Sequence, residues 1–462
     1  MTNQESPVAS VSAAMLAMNP DIQLCRDLMN GTKAMREAAE RNLPRWPNED
    51  AETYAARLAI STLFPAYSRT VQTLAAKPFS RPITYGEDVP ASLREMMDED
   101  ADLMGNNLDV FAARVLETAL AYGLAGIMVE APVAPVLEDG RVLTQAEEKA
   151  LGIRPYLILV YPWNILGWRS QSSNGVMRLT MLRLREYVTE EDGEFGEKLV
   201  EQVRVLTPGA WATYRKNERG EWVPNASGAT NLTEIPFRPV YGQYIDFMVG
   251  KPPMLEMAHL NVKHWQSQSD QDNLLHVARV PILVIAGVND ERFKLTIGAS
   301  EAVRLPTGAT AGFVEHSGAA IGAGRIALED LKEEMRQAGA ELLVLQPGVK
   351  TATQVGTENA VGMCALQRIA ESVEDALDGA LQLCAEMGGL GDGGHVTLFK
   401  DFGAATLAEA GAQLLVAMNQ SGSLSKKTLL TEIKRRGILS ADVDVDDELD
   451  AASSEGPPNG EL

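Results

Sequence analysis

The chain has 462 residues, 45% of them hydrophobic, and a formal net charge of −22. That length predicts one to three domains with ample material for a core, and the acidity argues against tight, sequence-independent capture of nucleic-acid phosphates, which needs clustered Lys and Arg. Three scattered cysteines (Cys25, Cys364, Cys384), no charged-then-apolar leader and no long apolar run predict a soluble intracellular protein with no disulfide framework, neither secreted nor membrane-spanning.

Residues 1–12 are polar and read as loose. Apolar spacing predicts helices over 21–35 and 51–74, the second carried by Tyr54, Leu58, Leu63, Tyr67, Val71 and Leu74. Pro78 and Pro82 then open a loop. A helix over 109–122 has a broad apolar face and runs into GLAGIMV (123–129), a buried strand or tight turn. From Tyr156 the pattern becomes strand-like: 156–161 and 165–168 with Pro162-Trp163-Asn164 between them, then 177–188, 198–207, 211–215 and 222–223. No helices alternate with these strands, so the expectation is an antiparallel meander inside an α+β fold.

Residues 255–277 form a helix that is polar on almost every side, with only Val262 and Trp265 to offer a core between 261 and 273. Such a helix must be held between neighbours or stand beside water. Short strands follow at 281–286, 294–297, 302–305 and 312–315, and GAAIGAG (318–324) turns into a helix over 326–345. There Leu328, Leu331, Met335, Ala338, Leu342 and Leu345 alternate in steps of three and four, the spacing of helix-on-helix packing. A polar helix beside a seam helix suits a ring of subunits, although an ordinary amphipathic helix in a monomer has the same periodicity. QPGVKTATQVG (346–356) is a loop with Lys350 its only charge, and Thr357 can cap the long striped helix that follows. A strand at 395–399 and helices over 404–418 and 426–436 come next. Residues 438–462 carry eight acidic residues and no basic one, and read as disordered.

Motifs for catalysis are not found. The glycine cluster at 318–324 lacks the Lys-Ser/Thr ending of a phosphate-gripping loop. None of the five histidines has the helical zinc spacing; His259 and His264 lie five apart, on different sides of a helix, and suit polar packing at a subunit contact. Cys364 and Cys384 read as buried small hydrophobes. Asp442, Asp444 and Asp446 imitate the start of a calcium loop, but Asp447 stands where glycine is needed. No Gly-x-Ser-x-Gly elbow exists, and no cofactor or metal is expected.

Five segments, in order, carry a family resemblance: YPWNILGW (161–168), residues 253–287, VRLPTGATAGFVEHSG (303–318) with its return helix, KTATQVGTENA (350–360) and residues 425–447. Together they resemble the portal proteins of tailed bacteriophages, in a branch long catalogued only as an uncharacterised domain. The resemblance implies a homo-oligomeric ring, usually of twelve, at one capsid vertex of the virion, which takes the large terminase during packaging and later a head-completion or tail-adaptor protein. Capsid and scaffold proteins would adjoin it, and double-stranded DNA would pass through without sequence-specific binding. It implies a wing over 1–250, stem helices over 254–280 and 324–345, a clip over 281–320, a tunnel loop over 346–356, a supporting helix over 357–388, and a wing or short crown over 389–437. Val349, Lys350, Thr351, Thr353 and Gln354 would face DNA; Trp265, Leu328, Leu331, Met335 and Leu342 would pack subunits together. The competing expectations are another structural head–tail connector, or a metal-dependent hydrolase drawing on scattered carboxylates.

Overall fold

The computed structural model describes residues 8–132, 147, 151–278, 282–286, 308, 310–314, 319–343, 363–400, 419, 424–435, 439 and 443–455. The fold is α+β, and the chain divides into two compact units: Met1–Gln23, Thr70–Pro253 and Ala340–Leu462 form one, Leu24–Arg69 and Met254–Gly339 the other. Residues 24–69, expected in the wing, thus belong with the polar helix.

Helix α1 (Ala13–Met29) starts under Ser12, whose hydroxyl accepts from the Met15 N–H at 3.3 Å, and runs through Pro20. A helical proline forfeits a hydrogen bond; buried Met15, Met18, Ile22, Cys25 and Leu28 hold the helix across it. The helix expected from 21 therefore begins earlier, and α2 (Gly31–Ala38) is separate. Asp50 caps α3 (Ala51–Ile60), accepting from the Glu52 and Thr53 N–H groups at 2.9 Å each. Helix α4 (Ala66–Ala76) begins after Pro65. The single helix expected over 51–74 is thus two, because proline disfavours helical backbone in the residue before it.

Strand β1 (Thr84–Tyr85) and an unanticipated α5 (Ala91–Glu99) lead to α6 (Leu108–Tyr122), capped by the Asn107 side chain. Gly123 ends α6 at φ +83°, and a Cβ there would lie 2.3 Å from the Lys251 carbonyl carbon, so both conformation and space demand glycine. From it leaves β2 (Leu124–Glu130), buried through Val129. It is paired antiparallel with β3 (Tyr156–Val160) on one side and with β9 (Phe237–Tyr241) on the other. Between β3 and β9 runs the meander: β4 (Ile165–Ser173), β5 (Val176–Asp192), β6 (Gly196–Thr207), β7 (Ala210–Lys216) and β8 (Trp222–Ala229), one five-stranded antiparallel sheet in sequence order. The strand-rich region is therefore two sheets, with 156–160 in the smaller. Met15, Met18 and Ile22 share a core with Leu124, Met128, Leu182, Leu184, Leu206 and Phe237. Residues 8–12 are not loose: Ala9 packs with Leu166 and Val203, and the Ser12 N–H donates to the Leu166 carbonyl at 2.8 Å.

A small hairpin, β10 (Gln243–Asp246) and β11 (Val249–Lys251), precedes the polar helix α7 (Leu255–Ala278). Strands β12 (Ile282–Ala286) and β13 (Thr310–Val314) pair antiparallel, and α8 (Ala319–Ala340) returns, starting before 324 so that Gly322 and Gly324 lie inside it. Helix α9 (Ala365–Gly388) opens with a capping box between Cys364 and Gln367 and buries Leu366, Ile369, Val373, Ala376, Ala380 and Leu383; it packs with α6 and β2. Cys25, Cys364 and Cys384 are all buried thiols. Strand β14 (Val396–Thr397) pairs with β1, and α10 (Lys426–Arg435) follows. The expected disordered tail holds a helix, α11 (Val445–Glu455). Asp444 accepts from the Asp446 and Asp447 N–H groups at 2.8 and 3.1 Å, and the acidic first turn complements the helix dipole. What resembled a calcium loop includes this cap. No described helix is long and apolar enough to cross a membrane.

Candidate functional site

Helix α7 has no apolar stripe to drive its packing, so polar groups must hold it. They come from its own chain. Asn261, fully buried, accepts from the Tyr67 N–H and donates to the Phe64 carbonyl, each at 2.9 Å. It thereby ties α7 to the break that Pro65 makes between α3 and α4. Ser269 meets the Ser61 hydroxyl at 2.9 Å, Gln266 donates to the Asn42 carbonyl at 3.0 Å, and Trp46 Nε1 donates to Asp270 at 3.1 Å. From α3, Arg57 forks the Glu49 carboxylate at 2.8 and 2.7 Å, donates to the Pro44 carbonyl at 3.0 Å and lies 4.1 Å over the Trp46 ring. Both charged side chains are only 2% exposed, and the Arg57 hydrogen bonds hold the Glu49 pKa below its ordinary value.

Two buried groups stand apart. Neither nitrogen of His264, nor the indole nitrogen of Trp265, meets a hydrogen-bond partner among the described residues. The His264 ring lies 5.3 Å from Phe64, and burial, with the Lys332 charge second, pushes its pKa down to about 4. It is therefore neutral near pH 7. Gln271 joins α7 to α8, donating to the Ile321 carbonyl at 3.0 Å; a Cβ on Gly324 would lie 2.0 Å from its amide oxygen.

Trp265, Leu328, Leu331, Met335 and Leu342 are all buried within the single chain. Within one chain they are core, with Leu342 at the edge of the cleft described below. His264 also packs inside the chain instead of at a subunit contact, while His259 is exposed. The physical reason is that residues 42–67 supply partners which helical periodicity within 255–277 cannot reveal. Val349, Lys350, Thr351, Thr353 and Gln354 lie outside the described residues, as do Thr357, the helix expected over 404–418 and most of 281–320.

In the sheet-bearing unit, β10 and α9 frame a cleft of about 500 Å³ lined by Tyr241, Tyr244, Leu342, Arg368, Ile369 and Ser372 among others. The two tyrosine rings meet edge-on at 5.0 Å, and burial raises the Tyr241 hydroxyl to about 12. Arg368 is exposed there and pairs with no carboxylate among the described residues. A second cleft, of about 510 Å³, contains Arg204 held between Glu130 and Glu186. Among the described residues, no group of three or more His, Cys, Asp or Glu is arranged to hold a metal ion.

A family model described as a domain of unknown function, DUF4055, matches residues 253–387, under a third of the chain. That stretch runs from just before α7 to the end of α9. No curated protein matches the chain. Among solved structures, a chain from the virion of a native gene transfer agent particle is 13% identical, over 86% of this chain and 97% of its own, with a TM-score of 0.42. A chain from the neck of the empty particle, computed with C6 symmetry, covers 81% and 90% at the same identity and TM-score. One from the neck of the native particle, computed with C12 symmetry, covers 88% and 98%, again at 13% and 0.42.

Proposed function

We propose that this chain is a structural subunit of a portal-type ring at the head–tail vertex of a tailed, phage-like particle, through which double-stranded DNA is packaged and ejected. The observation that carries the reading is the path of the chain from Pro253 to Ala340. It leaves the sheet-bearing unit, runs as a long helix, an antiparallel strand pair and a long return helix within the other unit, and re-enters where the described part ends in a short turn, Glu341–Leu343. This is the stem–clip–stem order that the sequence resemblance implies. The segment 346–356 then falls between return helix and α9, where the resemblance places a tunnel loop.

Charge supports the same reading. At −22, the chain repels a phosphate backbone, which suits passage of DNA better than its capture. The polar helix contributes less, since Asn261, Gln266, Ser269 and Asp270 find their partners inside one chain. Purified protein should form closed rings with a through-hole in negative-stain images and a particle of ring mass by light scattering. A monomer or dimer at micromolar concentration, with no rings in the images, refutes the proposal.

A further inference from the structure

We propose that the far end of the β5–β6 hairpin docks into the Tyr241–Arg368 cleft of a second copy of this chain. The proposal rests on the ring reading, to which it adds the head-to-tail contact.

The hairpin outruns its sheet. Strand β4 pairs with β5 only as far as Leu184, and β7 pairs with β6 only from Gln202, yet β5 and β6 stay paired to Asp192↔Gly196. From Glu186, opposite buried Gln202 where the pairing with β7 ends, to Asp192 the ribbon extends about 20 Å at roughly 3.3 Å per residue. A two-stranded ribbon is marginal by itself in water. Arg185 and Lys216 on Glu201 brace it near the root, and Arg215 reaches out to Glu190, two residues short of Asp192. Its tip carries Phe195, 91% exposed, with Tyr187 (55%) and Leu199 (64%) exposed along the ribbon. The pairing Thr189↔Leu199 puts Tyr187 and Leu199 on one face. Around them Glu191, Asp192, Glu194 and Glu197 form no ion pair among the described residues.

An aromatic knob ringed by carboxylates fits an apolar hollow with a cationic rim. The cleft at β10 and α9 has that chemistry: Leu342, Ile369 and two tyrosines line it, and Arg368 stands exposed and un-ion-paired among the described residues. Its volume of about 500 Å³ accepts one aromatic ring, a group that buries about 150–250 Å². Phe195 does not fill the cleft of its own chain, since it is 91% exposed. Each copy therefore offers one knob and one hollow that are not joined within the chain. A contact of that kind repeats head to tail, and closes into a ring when its rotation allows.

The test joins Phe195→Cys with Gln243→Cys, which lies at the cleft, in the full chain, where the three native cysteines are buried. Mild oxidation should produce a ladder of covalent oligomers on a non-reducing gel, absent from either single variant. Separately, Phe195→Asp and Arg368→Glu should each raise the concentration for half-assembly at least about tenfold, with melting curves unchanged because both positions are exposed. Adding Glu194→Arg to Arg368→Glu should restore part of the loss. Rings that form at the parental concentration in both variants, with no ladder, overturn the contact and leave the ring reading standing. A ladder from open filaments without rings supports the contact and refutes the ring. Protein that stays monomeric and gives no ladder overturns both.

Discussion

Replacing Asn261 by alanine removes the one side chain that satisfies both the Tyr67 N–H and the Phe64 carbonyl. An unpaired buried polar group costs about 1–3 kcal/mol. The Tyr67 N–H bears the full penalty, since Tyr67 is completely buried, whereas Phe64 is half-buried and water can reach part of its carbonyl. The expected loss is therefore about 2–4 kcal/mol, concentrated in α7 and the α3–α4 junction. Hydrogen exchange of peptides from 255–278, read by mass spectrometry, measures it locally, which matters in a chain of two units. Asn261→Asp sharpens the test. The aspartate still accepts from Tyr67 but can donate to Phe64 only when protonated, so its folded pKa is raised. Its stabilising contribution is present below the unfolded value of about 3.9 and is lost as pH rises through the folded value. The Asp variant should thus gain on the Ala variant as pH falls from 7 to 4. An Ala variant that protects 255–278 to within about 1 kcal/mol of the parent would show that Asn261 does not anchor α7, because each partner would then be otherwise satisfied.

Four further outcomes are expected. His264, held to about 4 in the folded state against an unfolded value near 6.5, contributes stability that is complete above 6.5 and is lost as pH falls toward 4, amounting to about 3 kcal/mol; His264→Phe should flatten that part of the acid limb in urea unfolding, and a parallel limb would count against it. Arg57→Met strands Glu49 and should destabilise by about 3–5 kcal/mol, whereas Arg57→Met with Glu49→Leu should recover most of the loss in a double-mutant cycle. Lys350→Glu should leave ring assembly intact and reduce packaged DNA or its retention; normal yields of full-length genomes would remove Lys350 from any essential channel role. Deleting 281–318 should spare folding of the sheet-bearing unit while abolishing terminase or adaptor binding, and retained binding to both would refute a docking role for that segment.

Elements that owe their form to local pattern were legible in the sequence. The meander from β4 to β8, the broad face of α6 and the stripe of α9 all follow from alternating or helical apolar spacing. Spacing misled where a local breaker or distant partner decided the outcome. Tyr54, Leu63 and Tyr67 kept helical phase across Pro65, so two helices read as one. The α3 face that is buried carries Tyr54 and Arg57, and no apolar count suggests an arginine in a core. The tail's acidity hid α11, since the carboxylates that forbid a core are the ones that cap and complement a helix start. Strands β9–β11 were missed too; they are short, and β9 carries Pro239.

The polar helix changes the argument for assembly more than any other element. From sequence, its lack of an apolar stripe looked like a demand for neighbouring copies. In the structure that demand is met by residues about 200 positions earlier, through Asn261, Gln266, Ser269 and Asp270. With most of its buried polar groups paired inside the chain, His264 and Trp265 excepted, the helix gives a weaker reason to oligomerise than its sequence suggested. In the sheet-bearing unit the described residues include an aromatic tip 91% exposed among carboxylates, and a cleft with an exposed arginine. Exposed apolar groups at an apex gain free energy when covered, and a lone carboxylate cluster gains most from a cation that its own chain does not supply. On the proposed contact, the β5–β6 ribbon is therefore a stronger candidate than α7 for meeting a second copy.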